Sequence, residues 1–198
     1  MKHKFLICLG IAASSLMLTG CSMVNALTEN TDPVYKSSVT IGHDVTIDSI
    51  DPQLILFNNM DSLSASGLYY ATWVIGDSVP YENSDGETID LYDAQLYFLL
   101  SEGKTADSAQ RSVDSWLSSA DENYNITENT EITCGGQNYT CITYTVDNED
   151  SPYDRGISAF TTAGTDAACI ELTCIPDFDG DLEEILTSFL ENCHYEAD

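Results

Sequence analysis

The sequence predicts an α+β fold, an antiparallel β-sheet with helices packed on its faces. Three observations point there. Between residues 39 and 175 the apolar residues recur mostly with the period of two that half-buried strands show, or in short runs rich in aromatic and β-branched side chains. Two stretches, near Trp116 and after Asp181, change to the 3.6-residue period of a helix that buries one stripe. A glycine pair and single glycines then fall between successive strand-like runs, as the tight turns of antiparallel neighbours require.

In chain order, Val39, Ile41, His43, Val45 and Ile47 alternate with Thr40, Gly42, Asp44, Thr46 and Asp48, which predicts one strand with His43 on its apolar face. A lone histidine there is expected as a packed or edge residue. Leu54 to Phe57 is a short apolar run, and Leu68 to Ile75 is a strand by its aromatic and β-branched content. Pro80 to Glu87 reads as an acidic, turn-rich loop, and Ile89 to Leu100 as the next strand. Ala109, Val113, Trp116 and Leu117 stand at i, i+4, i+7 and i+8, so Thr105 to Ala120 is expected as a helix capped by Thr105 or Asp107.

From Asn125 the pattern is a meander. Its strands are Ile126 to Thr133, Tyr139 to Val146, Gly156 to Ala163 and Ala167 to Ile175; its turns are Gly135-Gly136, the acidic stretch Asp147 to Asp154, and Gly164. Pro176 stops the last strand. Asp181 and Glu184 have capping-box spacing, and Leu182, Ile185, Leu186, Phe189, Leu190 and Cys193 share one helical face. Taken together, the helix at Trp116, the strands around Gly135-Gly136 and Gly164, and a closing helix from Asp181 to Glu196 resemble the PsbP-like α/β/α sandwich, over roughly residues 105 to 196. That fold includes the extrinsic lumenal protein of photosystem II, a nuclear Ran-binding protein and many bacterial lipoproteins. The resemblance implies a binding or accessory role and assigns no catalytic residue.

The first residues give an address. Lys2 and Lys4 precede an apolar run from Phe5 to Leu18, and small residues follow at Thr19 and Gly20. This is the order of a signal peptide, and the run falls short of the roughly 20 residues of a spanning helix. Leu18-Thr19-Gly20-Cys21 resembles the lipobox of bacterial lipoproteins, which implies a leader at 1–20, acylation of Cys21 by diacylglyceryl and palmitate-type chains, and Cys21 as mature N-terminus. Two or more acyl chains make such attachment durable. Residues 21–37 then read as a polar linker, and 38–198 as one globular domain.

Charge narrows the partners. Beyond residue 20 there are four basic residues against 33 acidic ones, a net charge of −29. Such a surface repels nucleic acid and anionic headgroups. Cys134, Cys141, Cys169, Cys174 and Cys193 are an odd set, so at least one thiol stays outside an intramolecular disulfide. A Cys134–Cys141 bridge is geometrically awkward if Gly135-Gly136 is a two-residue hairpin turn, since Cys141 then lies several ladder pairs from the turn. No connectivity follows, and His43 and His194 are too few for a zinc-type ligand set.

Short motifs dissolve on inspection. Asp177-Phe178-Asp179-Gly180-Asp181 opens like a calcium loop but has Leu182 and Ser188 where glycine and glutamate are needed. A turn with a helix N-cap accounts for the same residues. Ser101-Glu102-Gly103-Lys104 matches S-x-x-K without its companion elements. Tyr69, Tyr70, Trp73, Tyr92, Tyr97 and Tyr144 lie on predicted strands, where packing explains them better than a carbohydrate platform does. The expectation is therefore a non-enzymatic, lipid-anchored binding or accessory module outside the cytoplasm, with no cofactor, no metal and no nucleic acid. Its partner would be an envelope protein or a small ligand. The alternatives are an enzyme with a dispersed site around carboxylates or His43, and a cation-dependent adhesion or sensing module.

Overall fold

The computed structural model describes residues 33–60, 67–82, 86, 88–147 and 151–196. Cys21, the leader and most of the linker lie outside them. The fold is α+β, with an antiparallel sheet of seven strands between two layers.

β1 (Ser38–Ile41) and β2 (Val45–Asp48) form a hairpin that is followed by β3 (Ile55–Met60), β4 (Leu68–Ile75), β5 (Val79–Glu82), β6 (Thr88–Leu91) and β7 (Ala94–Ser101). Helix α1 (Ala106–Asn123) leads into β8 (Asn125–Cys134), β9 (Gln137–Thr145), β10 (Arg155–Ala163) and β11 (Asp166–Cys174). Helix α2 (Leu182–Glu191) and β12 (Cys193–Tyr195) close the chain. The large sheet runs β3-β4-β7-β11-β10-β9-β8, and β1-β2-β12 and β5-β6 are separate small sheets.

Each face of the large sheet has its own core. On one side α1 buries Ala109, Val113 and Trp116 against Ile142, Tyr144, Phe160 and Cys169. On the other, α2 and the β1-β2-β12 sheet pack Ile185, Phe189, Ile41 and Ile47 against Trp73, Phe98, Ile170 and Leu172. The ring of Phe189 meets that of Trp73 edge-on at 5.1 Å. Both helices begin on side-chain caps. Thr105 accepts from the Ser108 amide in a capping box, and Asp181 accepts from the amides of Glu183 and Glu184.

Four expectations change. Residues 39–48 are a hairpin and not one strand, because Gly42 takes φ +61° and turns the chain. A Cβ at Gly42 would come within 2.9 Å of Leu100, so the turn also needs the close approach only glycine permits. His43 consequently leaves the apolar face for the tip of the turn, its side chain 76% exposed. Of the acidic loop expected at 80–87, residues 80–82 belong instead to β5, which pairs with β6 from Val79↔Leu91 to Glu82↔Thr88, while 83–85 and 87 lie outside the described residues. The strand expected over Ile89 to Leu100 breaks at Tyr92 and Asp93, where the Asp93 amide bonds the Ile75 carbonyl and its carbonyl accepts from Ile175. Finally, the closing helix stops at Glu191 rather than Glu196. Asn192 bonds back to the Ser188 carbonyl at 2.8 Å, and Cys193 to Tyr195 turn into a strand paired with β2.

Candidate functional site

Glu171 is the one charged side chain in the interior of β11, a strand buried at all nine positions. Ladder pairing puts Ser158 of β10 and Tyr97 of β7 beside it on the α1 face. Tyr144 of β9 is paired with Gly156, and reaches Glu171 across that glycine. A Cβ at 156 would stand 2.5 Å from the Tyr144 hydroxyl oxygen, so any larger residue would block the path. Tyr124, the residue that ends α1, stacks on Tyr144 with ring centroids 4.1 Å apart and planes 3° off parallel.

Three hydroxyls converge on one carboxylate oxygen. Tyr144 donates to Glu171 Oε1 at 2.5 Å, Tyr124 at 3.2 Å and Ser158 at 3.5 Å. Burial pushes the Glu171 carboxyl above the usual range, and the three donated hydrogen bonds pull part of the way back. Burial first, then the Glu171 charge, pushes the Tyr144 hydroxyl and the Cys169 thiol up as well. With Glu171 only 3% exposed and Ser158 and Tyr144 sealed, no solute reaches the carboxyl. The arrangement ties Tyr124, at the end of α1, to β9, β10 and β11 through one carboxylate oxygen.

A second polar group lies at the end of the sheet. His43 Nδ1 is 3.0 Å from Glu102 Oε1, the Tyr69 hydroxyl donates to Glu102 Oε2 at 3.3 Å, and the His43 and Tyr69 rings meet edge-on at 5.8 Å. The Glu102 amide donates to the Gly67 carbonyl and the Gly103 amide to Asp166 Oδ1 at 3.0 Å. Burial raises the Asp166 carboxyl, opposed by the bonds from Gly103 and Thr165. These contacts fasten the β1–β2 turn to the start of the loop leading into α1. Of the S-x-x-K residues, Ser101 sits in the ladder opposite Leu68 and Ala167, and Lys104 is exposed.

The remaining motif residues take structural places. Asp181 caps α2, and the loop before it is held by Arg155, whose guanidinium donates to the carbonyls of Phe178, Pro176 and Ile175. No group of three or more candidate metal ligands exists among the described residues. The five cysteines among the described residues are free and buried. Cys134 pairs with Gln137 beside the turn and Cys141 with Thr130, four pairs further on, as the hairpin geometry required. Burial raises every thiol, Cys141 to about 12. Trp73, Tyr144 and Tyr69 are core residues, and Tyr70 and Tyr97 form a half-buried pair 5.7 Å apart.

The fold and these clusters define an α+β protein with a buried polar knot and an acidic exterior. No family model matches the sequence, and no curated protein does. Among solved structures it is similar to cyanobacterial PsbP (CyanoP) from Synechocystis sp. PCC 6803, with 11% identity over 85% of this chain and 99% of that one and a TM-score of 0.38. It is also similar to a Pseudomonas aeruginosa protein of unknown function (14% identity, 51% of this chain, 85% of that one, TM-score 0.31). A Bacteroides thetaiotaomicron VPI-5482 protein aligns with 13% identity over 71% of this chain and 48% of that one, at a TM-score of 0.37. These are likenesses of shape, and no function rests on them. No helix among the described residues is long and apolar enough to cross a membrane.

Proposed function

We propose that the chain is an exported lipoprotein, anchored through Cys21, whose acidic α+β domain works as a non-enzymatic binding module outside the cytoplasm. The apolar run ending in Leu18-Thr19-Gly20-Cys21 supports the anchor. The geometric observation that carries the reading is where the chain joins the fold. Val34 bridges Leu56 on the outer edge of β3, thirteen residues after Cys21. A linker of that length spans at most about 45 Å, so the domain works close to the bilayer surface. Its charge holds it off anionic headgroups and disfavours nucleic acid, leaving a protein or small-ligand partner in the envelope.

The test is to express the full chain in a bacterium fed an alkynyl fatty acid. The wild type is expected to take the label, fractionate with membranes and be digested by protease added to spheroplasts. The Cys21→Ala variant is expected to lose the label. Unlabelled wild-type protein in the cytosol would overturn the proposal.

A further inference from the structure

The two edges of the large sheet are treated differently. Val34 bridges the β3 edge at Leu56, exchanging hydrogen bonds of 2.8 and 2.9 Å with it. At the other edge, no described strand pairs with the outer side of β8. Such an edge presents a row of unpaired N–H and C=O groups to solvent.

β8 is long for an edge strand, at ten residues, and Thr127 to Glu131 are exposed together with Thr133. Its register slips once, between Ile126 and Glu128, so the regular ladder starts at Glu128. Beyond that slip the recorded side-chain bonds lean back onto β9 and leave the outer edge open. Thr140 donates to Glu131 Oε1 and Thr133 donates to Asn138 Oδ1, each at 2.7 Å.

β8 and the α2 side of this edge carry acidic side chains and no basic ones. Glu128 and Glu131 lie on the strand, and Glu183 and Glu191 of α2 are near enough for their charges to act on Cys141 of β9 and on Cys134 at the end of β8. β8, β9 and α2 contain no lysine, arginine or histidine. A second copy of the chain would bring the same acidic strand against itself, and in the linker Glu29 and Asp32 outnumber Lys36, so charge opposes both. A strand bearing lysine or arginine fits.

We propose that the edge of β8 from Glu128 to Thr133 docks an extended basic segment of a partner protein, which adds to the sheet as a further strand. Main-chain bonds supply affinity in this mode and the glutamates select the partner. The inference rests on the binding-module reading but not on the anchor. Fatty-acid labelling and peptide binding therefore fail separately.

The experiment uses the full chain in detergent and an eight-residue peptide alternating lysine with valine. Binding is expected to slow amide exchange in residues 125–134, as read by mass spectrometry, and to weaken at least tenfold in Glu128→Lys/Glu131→Lys. N-methylation of alternate peptide amides leaves the charge intact and is expected to abolish binding. Equal binding of the methylated peptide, protection confined to other segments, or dimerisation of the free chain through β8 would each overturn the proposal.

Discussion

Glu171 decides how the α1 side of the molecule responds to pH. Its raised carboxyl means the folded chain holds a proton that the unfolded chain has released, over the window from the ordinary glutamate value up to the folded one. In that window the native state binds more protons, so stability falls as pH rises and the full penalty remains above it. Asp166 is raised in the same direction, so the Glu171 contribution is isolated by comparison with Glu171→Gln. The wild type is expected to lose more melting temperature than Glu171→Gln between pH 5 and pH 8. Parallel curves would show that the carboxyl does not carry the effect. The cysteines give a second residue-scale test. Burial and raised thiol values make all five inert, so iodoacetamide at pH 8 is expected to label none of them in the native protein and all five in denaturant. Of this chemistry the sequence offered one signal, a single glutamate inside the apolar run Ala167 to Ile175. Its partners were hidden, because Tyr124, Tyr144 and Ser158 meet only through the pairing of three strands and the end of a helix.

Among the elements, the tie between β10 and the loop before α2 has the clearest expected cost. Arg155→Ala removes charged hydrogen bonds to three carbonyls and should lower stability by about 2 kcal/mol, measured by urea unfolding. A change below about 0.5 kcal/mol would mean the loop holds itself. Strands that face the core along their length were legible: β4 and β9 to β11 follow the apolar periods, as do both helix stripes, and Asp181 was readable as a cap. The elements that escaped were those where one period continues through a turn. Val39, Ile41, Val45 and Ile47 keep alternating because both arms of the β1–β2 hairpin present the same face to the core, so only Gly42 betrayed the break. Cys193 continues the helical stripe of α2 for the same reason, although it already belongs to β12.

At the scale of the whole molecule, a net charge of −29 beyond residue 20 and a short linker would, with the proposed anchor at Cys21, hold the domain off the bilayer surface. That account depends on what happens at Cys21. The direct measurement is the mass of the N-terminal tryptic peptide from the membrane fraction. The expected peptide starts at Cys21, ends at Lys36 and carries a diacylglyceryl group on its thiol. Recovery of unmodified protein still bearing residues 1–20 would contradict it.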